Sequence, residues 1–295
     1  MTDGLNRTDR TDRTDRTDRL IRTDKLSTSL TSLRIVWRIT RLNFRAQLEY
    51  RSEFLLMIAI GAIWQVSVIV FATVLLTRFT GMGGWASEDV LLIAATRMLA
   101  HGLFVLFLGR VHGLGRHIQE GVIDTYLVRP MPVHRQLQLS VFPTNAIGDL
   151  TVATGLMVGA LTRSQLDWNA ARISYLVVCV VGGMLLEAAL FTVVACASLR
   201  FPAADYWGRW LEELLGTFGS YPLNVLPGAV GGFLTFGLPL AFVAYFPAAV
   251  LTGHGGDSGV PYWLAAASPL VGLLAYLGAR LLWRWSLGHY SGVNG

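Results

Sequence analysis

Long apolar runs alternate with short polar segments over most of this chain. Six runs are near the ~20 mostly apolar residues that an α-helix needs to cross a bilayer. They cover residues 54–76, 90–109, 137–161, 173–199, 223–251 and 262–283. The fifth run contains Pro227, Pro239 and Pro247, so we expect it to be broken or partly re-entrant. The pattern predicts an all-α integral membrane protein whose residues 53–295 form one domain of six transmembrane helices.

The segment before the first run has a different pattern. Residues 1–26 repeat Arg, Thr and Asp, and their alternating charges with few apolar groups predict a disordered arm. Residues 27–52 have the period of an amphipathic helix, with four arginines within about 60° of one another on one face. This favours a helix in the headgroup plane over a cytoplasmic helix packed on a partner. The residues expected at that interface are Arg34, Trp37, Arg38, Arg41 and Arg45.

Basic residues are distributed unevenly between the loops and therefore predict the orientation. Of the 24 Lys and Arg residues, 20 lie on the side of the N-terminus and three on the opposite side. The first group lies in residues 1–53, 110–136, 200–222 and 280–295, and the second in residues 77–89, 162–172 and 252–261. Because cytoplasmic loops are enriched in Lys and Arg, we expect both termini in the cytoplasm.

Composition supports a membrane protein and excludes several other classes. Hydrophobic residues make up 53% of the chain and charged residues 15%, below the ~25% of soluble domains. Cys179 and Cys196 lie in one apolar run, which argues against a disulfide framework or a zinc ribbon. No phosphate-binding loop surrounds Lys25, the only lysine. The basic excess lies in the N-terminal arm, so membrane lipids are a better counter-charge than nucleic acid.

Four titratable residues lie in the interior of predicted spans, where a charge costs ~2.5–3.5 kcal/mol on insertion scales. Arg97 and His101 lie four residues apart on one helix face, and Asp149 and Glu187 lie on other spans. They are candidates for a buried polar network, for a translocation path or for a proton relay. G-x-x-x-G spacings also indicate close helix packing and occur at Gly155 and Gly159, and at Gly228 and Gly232.

The largest cytoplasmic loop contains a further periodic segment. Ile118, Val122 and Tyr126 recur every four residues, which predicts a short amphipathic helix over residues 115–129, before Pro130. It is either a site for a soluble partner or a surface connector.

The same loop carries a recognisable motif. Residues 119–130, QEGVIDTYLVRP, resemble the cytoplasmic loop of ATP-binding-cassette exporter permeases of the type-two superfamily. They look closest to the six-span bacterial branch. Pro222, Pro239 and Pro247 are similar to the prolines of the fifth span in that branch. The resemblance covers about residues 30–285 and leaves out the repeat arm.

The resemblance implies a permease subunit of an exporter that has no cofactor of its own. A separate ABC ATPase in two copies would bind ATP and Mg, and a second permease, identical or related, would complete the complex. The helix at 30–50 would be the family's connecting helix, and the 115–129 helix would be the coupling helix on the ATPase. Its candidate coupling residues are Arg116, Glu120, Gly121, Asp124, Tyr126, Arg129 and Pro130. We expect a bacterial plasma membrane as the location.

Two alternatives belong to other classes. Asp149 or Glu187 would serve a secondary transporter as a proton relay, although the chain has no apparent inverted repeat. A membrane enzyme acting on lipid would need clustered His, Asp or Cys. His112, His117 and His134 share one loop, but no acidic residue recurs at ligand spacing and no metal site is expected.

Overall fold

The computed structural model describes residues 34–78, 84–164, 166–257, 259–290 and 292. Every regular element in these ranges is a helix, which confirms the all-α class. The arm predicted at residues 1–26 lies outside the described residues, as do residues 27–33. The chain separates into two compact units, Met1–Glu49 and Tyr50–Gly295.

The described part of the first unit is one helix, α1, over residues 34–49. Its four arginines are all exposed, as their spacing on one face predicts, and Trp37 is 70% exposed. Residue 50 is not helical, so α1 ends before the boundary predicted at residue 52.

The described residues of the second unit form five long helices. They are α2 (Arg51–Arg78), α3 (Ser87–Phe107), α7 (Asn145–Arg163), α8 (Ala170–Ser198) and α13 (Ser268–Gly288). They pack in the order α2, α7, α3, α8, α13, so that sequence neighbours α2 and α3 have α7 between them. Within the described residues, three helices are long and apolar enough to cross a membrane, namely Arg51–Val70 of α2, all of α3 and all of α8.

Glycines allow the closest helix crossings in this unit. A Cβ atom at Gly148 of α7 would collide with the backbone oxygen of Ile58 on α2. A Cβ atom at Gly182 of α8 would lie 2.6 Å from the Cα atom of Pro269 on α13. No described atom comes within 4 Å of a Cβ atom added at the G-x-x-x-G glycines, which are Gly155, Gly159, Gly228 and Gly232. The crossings within this chain therefore use glycines that those motifs did not identify.

The segment between α3 and α7 corrects two predicted boundaries. It forms three short helices, α4 (Leu114–Gln119), α5 (Val122–Leu127) and α6 (Val133–Gln138). The predicted continuous helix at 115–129 is wrong, because Gly121 adopts a left-handed φ of 68° and separates α4 from α5. The helix of the predicted third span begins at Asn145 rather than Leu137, because Pro143 has no N–H to donate to a continuous helix.

The chain between α8 and α13 is a series of short helices. The first is α9 (Asp205–Phe218), which packs on α8, and the broken segment that follows contains α10 (Gly228–Gly232) and α11 (Tyr245–Thr252). A π-helix at Phe233–Gly237 continues α10, and the regular helix stops before Pro239. Pro247 does not interrupt α11, because it lies in the first turn, where no N–H is needed.

The last predicted span is also divided. Helix α12 covers Tyr262–Ala266, Ala267 is a turn, and α13 starts at Ser268 with Pro269 in its first turn. Helix α13 continues to Gly288, beyond the predicted end at residue 283.

Candidate functional site

A buried polar cluster joins α3 to α8. Arg97 and His101 lie one turn apart on α3, and Glu187 approaches both from α8. His101 Nδ1 and Glu187 Oε2 are 2.9 Å apart, a hydrogen-bond distance, and Arg97 Nε lies 3.9 Å from Glu187 Oε1. The side chains of Arg97 and Glu187 are 1% and 0% exposed. One carboxylate is therefore shared between a guanidinium and an imidazole, away from solvent.

This cluster leaves hydrogen-bonding groups unused. Within the described part of the chain, the Nε and Nη1 atoms of Arg97 and the Oε1 atom of Glu187 have no hydrogen-bond partner. Gly219, directly after α9, lies against Arg97, and a Cβ atom there would be 3.3 Å from Arg97 Cγ. A buried polar group without a hydrogen bond costs roughly 1–3 kcal/mol. These atoms therefore favour a hydrogen bond to water or a closer contact between Arg97 and Glu187.

Asp149, the other buried acid, lies where α2 crosses α7. It is 4% exposed, and its Oδ2 atom accepts a long hydrogen bond of 3.5 Å from Asn145 Nδ2, one turn earlier on α7. A Cβ atom at Gly61 of α2 would lie 3.2 Å from Asp149 Oδ1. The structure thus brings Arg97, His101 and Glu187 together. Asp149 lies outside this cluster, but it lines the same cavity as His101.

A cavity of about 790 Å³ lies between α2, α3, α7 and α9. Asp149 and Asn145 line it from α7, and His101 lines it from α3. Helix α9 contributes Arg209, Glu212 and Glu213, and α2 contributes Trp64 with apolar neighbours. This cavity lies beside the buried cluster, because His101 belongs to both.

Sequence reasoning missed the α9 wall of this cavity. Arg209, Glu212, Glu213 and Thr217 share one face of α9, while Gly208, Leu211 and Leu215 are buried on the opposite side. Hydropathy places residues 200–222 among the cytoplasmic loops, because the charges of this segment lower its mean hydropathy. The signal that identifies α9 is helical periodicity: apolar and charged positions separate cleanly at 3.6 residues per turn.

A smaller cavity of about 250 Å³ continues the first one toward the short helices. The two share four lining residues, including His101, Asn145 and Glu212. The smaller one adds Arg110 and His112, and His112 Nδ1 lies 3.8 Å from Glu212 Oε2. Burial lowers the pKa of Arg110. A chain of polar groups therefore runs from the short helices to Asp149.

The three loop histidines do not converge. His112 and His117 line the smaller cavity, whereas the His134 ring lies 5.6 Å from the Trp283 ring on α13. Burial lowers the pKa of His134 to about 3, and the nearby charge of Arg280 acts in the same direction. His134 is therefore neutral at pH 7 and packs as an aromatic ring.

The α4–α5 segment presents an exposed tip. Leu127 is 46% exposed and Val128 is 84% exposed, and Arg129 and Pro130 follow at the surface. Of the other predicted coupling residues, Arg116 and Glu120 are exposed, Gly121 and Tyr126 are half-buried, and Arg129 lies 5.5 Å above the Tyr126 ring. Two consecutive apolar side chains, Leu127 and Val128, are therefore exposed at this tip.

One residue outside the motif, Gln136, holds this tip in place. Gln136 Nε2 donates to the carbonyl oxygens of Tyr126, at 2.8 Å, and Met131, at 2.6 Å. Asp124 points away from the tip toward the C-terminal segment, where it lies 3.7 Å from the position of a Cβ atom on Gly292. Burial raises the pKa of Tyr290, and the carboxylate of Asp124 raises it further. Asp124 therefore lies against the C-terminal segment rather than at the exposed tip.

A direct contact links the tip segment to the cavity wall. The backbone N–H of Gly115, at the start of α4, donates to Asp205 Oδ1, at the start of α9, over 3.2 Å. Gly208 of α9 lies against His112, since a Cβ atom there would be 3.2 Å from the imidazole Cδ2. A displacement of α4 would thus be transmitted to α9, whose opposite face lines the large cavity.

Comparison with known proteins gives one match. A family model described as ABC-2 family transporter protein matches residues 62–293, more than half of the chain. No curated protein and no solved structure matches it. The matched range includes the exposed tip, the buried cluster and most of the cavity, and it excludes α1.

Proposed function

The chain belongs to the ABC-2 family of transporter proteins, as a permease subunit, and we propose that it exports its substrate using ATP hydrolysed by a separate subunit. Family membership makes it a membrane protein that works with an ABC ATPase. Export, the orientation in the membrane and the route of coupling are the parts that we propose.

We assign six spans to the helices of the second unit. Helices α2, α3, α7, α8 and α13 provide five of them, and the fifth in chain order consists of α9 with the broken segment after it. This assignment starts the fifth span at Asp205 instead of Leu223, because α9 lines one cavity together with three other spans. The arginine distribution supports cytoplasmic termini in a bacterial plasma membrane.

The observation that carries the coupling proposal is the continuous path from the exposed tip to the cavity. Val128 and Arg129 lie at the surface, α4 contacts Asp205, and α9 carries Glu212 and Glu213 into the cavity. Closure of the ATPase dimer on ATP would push the tip, and α4 would move α9. In this mechanism ATP and Mg bind only to the ATPase, and this chain converts the motion into a change of cavity shape.

We propose an assembly of two ATPases and two permeases, identical or related. The outer face of α2 supports it: Leu55, Ile63 and Val70 are 64%, 65% and 55% exposed. A groove of about 530 Å³ follows the same face through Ala62, Val66 and Val74. A second permease or lipid would cover this apolar surface.

Substitution at the tip tests the proposal. The Val128→Asp variant places a charge where an apolar side chain would dock, whereas the Val128→Leu variant keeps the surface apolar. The full chain, co-expressed with its ABC ATPase and purified in nanodiscs, should lose ATPase co-purification and vanadate-sensitive ATP hydrolysis in the first variant only. Equal recovery of the ATPase with both variants would refute docking at the tip.

A proton-coupled secondary transporter is the second candidate. The observation in its favour is the set of buried titratable groups, His101, Asp149 and Glu187, near a polar cavity. It requires transport driven by a pH gradient in proteoliposomes that contain this chain and no ATPase. The export proposal expects none under those conditions.

A further inference from the structure

We propose that the cavity between α2, α3, α7 and α9 binds an amphiphilic organic cation, as the cargo of the exporter. The inference rests on the proposed function and adds the chemical class of the substrate. It concerns a pocket inside one permease, defined by its charges, its aromatic wall and its depth.

The charges of the lining favour a positive ligand. Three carboxylates, Asp149, Glu212 and Glu213, face one guanidinium, that of Arg209. His101 is engaged by Glu187 behind the cavity wall, and Arg97 lies 3.9 Å from the same Glu187 carboxylate. The cluster behind the wall thus compensates itself, and the excess of acidic over basic groups remains on the lining.

Asp149 is the group most able to bind a cation here. It is 4% exposed, so its charge is poorly screened by solvent, and its side-chain partners among the described residues are the amides of Asn145, at 3.5 Å, and Gln65. Glu212 differs, because His112 lies 3.8 Å from it, on the side of the smaller cavity. A carboxylate at this depth gains most from a cation that brings its own apolar surface, since a small hydrated ion would have to lose its water.

The remaining walls suit such a ligand. Trp64 and Tyr221 provide aromatic surfaces, and Ile60, Val68 and Val105 provide apolar ones. Aromatic faces attract organic cations through the negative face of the ring. The volume of about 790 Å³ is within the range of pockets for drug-sized molecules.

Buried polar groups also lie beside the lining. The amide of Gln65, next to Trp64, is 0% exposed and interacts with the Asp149 carboxylate. The hydroxyl of Ser220, next to Tyr221, is buried and has no hydrogen-bond partner among the described residues. Buried polar atoms normally pair with protein or water, so this region is suited to hold water or a polar ligand.

The position of the cavity indicates loading from the cytoplasm. With the N-terminus inside, the lining residues of α3 lie in its second half and those of α7 in its first half, which are the cytoplasmic halves of those helices. Helix α9 begins on the same side in the six-span assignment. The smaller cavity extends this space toward α4 and the coupling tip. A cation held at Asp149 is thus placed where movement of α9 would reshape its pocket.

Binding of two probes of equal size and opposite charge tests the proposal. Tetraphenylphosphonium and tetraphenylborate are titrated into the full chain in nanodiscs, and quenching of Trp fluorescence and equilibrium dialysis report binding. We expect saturable binding of the phosphonium ion and at least tenfold weaker binding to the Asp149→Asn variant. The Asp167→Asn variant removes the same charge from an exposed residue outside the cavity and should bind like the wild type.

The outcomes separate this proposal from the export proposal. Equal affinity of both probes, or an unchanged phosphonium affinity in the Asp149→Asn variant, overturns the cation site even when the ATPase co-purifies. Phosphonium binding that depends on Asp149, in a chain that recruits no ATPase, supports the site and contradicts export. If the Asp149→Asn variant fails to elute as a folded protein, the Glu213→Gln variant replaces it, because Glu213 is exposed on α9 and its substitution should not disturb folding. This substitution should weaken phosphonium binding at least threefold.

Discussion

Replacement of Glu187 by Gln should destabilise the protein strongly. The change removes the carboxylate shared by Arg97 and His101 but preserves size and one hydrogen-bond acceptor for His101. Arg97 would remain charged, because guanidinium groups do not lose their proton in proteins. At 1% exposure the Arg97 side chain cannot turn to solvent without moving α3 from its neighbours.

The magnitude follows from this burial. Removing one partner of a buried ion pair costs about 3–5 kcal/mol of stability. An exposed ion pair contributes only ~0–1 kcal/mol. The 3.9 Å separation, longer than a direct hydrogen bond, argues for the lower end of the first range. With roughly 2–4 °C of melting temperature per kcal/mol, the Tm should fall by at least about 6 °C.

The assay is thermal unfolding of the full chain in nanodiscs, followed by Trp fluorescence and by loss of the monodisperse peak in size-exclusion chromatography. The exposed residue Glu213 provides the control, because its change to Gln should shift the Tm by about 1 °C or less. Arg97→Met combined with Glu187→Gln should lose less stability than the two single changes added together, since the unpaired charge disappears. Additive losses, or wild-type melting of Glu187→Gln, would refute the buried-pair argument.

Three further predictions address packing, pH and coupling. The Gly148→Val variant should lose about 1–3 kcal/mol of stability, because its side chain would collide with α2, whereas Gly159→Val should melt like the wild type. The pKa of His134 is about 3 in the folded protein, well below the ordinary value of 6.5. Between these two pH values the unfolded chain binds more protons than the folded chain, so the free energy of unfolding should fall as the pH is lowered from 6.5 toward 3. The His134→Phe variant should show a weaker dependence of Tm on pH over the same range. Asp205→Ala should leave ATPase binding intact but reduce transport per ATP hydrolysed by about threefold or more in proteoliposomes, because it removes the hydrogen bond between α4 and α9; unchanged coupling would exclude this route.

The parts of the fold that hydropathy predicted well are those that depend only on length and apolarity. Helices α3 and α8 begin and end within three residues of the predicted spans, because nothing inside them breaks the helix. The prediction of one helix over residues 115–129 failed at Gly121, which has a left-handed φ. The apolar residues keep their helical spacing on both sides of this glycine, so their pattern does not reveal the break. Register with a distant helix is equally invisible in sequence, so the crossings at Gly148 and Gly182 were not distinguished from other glycines.

Part of the candidate site was predictable for a similar reason. Arg97, His101 and Glu187 stood out because a charge inside an apolar run has a cost, and the structure pairs them across two helices. Glu212 and Glu213 did not stand out, because a segment with several charges reads as a soluble connector when only hydropathy is counted. Which charges meet is a matter of helix packing, and hydropathy carries no information about that.

The helix that hydropathy missed is the one that a transporter of this kind most needs. A span that is apolar on all sides can hold a membrane protein together, but it offers no polar surface to a substrate in transit. Helix α9 meets both demands by burying Leu211 and Leu215 against its neighbours while Glu212 and Glu213 face a cavity. The cost of placing those charges in a bilayer is reduced only because α2, α3 and α7 enclose a polar space around them. The hydrogen bond between Gly115 and Asp205 joins the same helix to the α4–α5 segment, and in the proposed mechanism it carries the motion of the ATPase to the charged pocket.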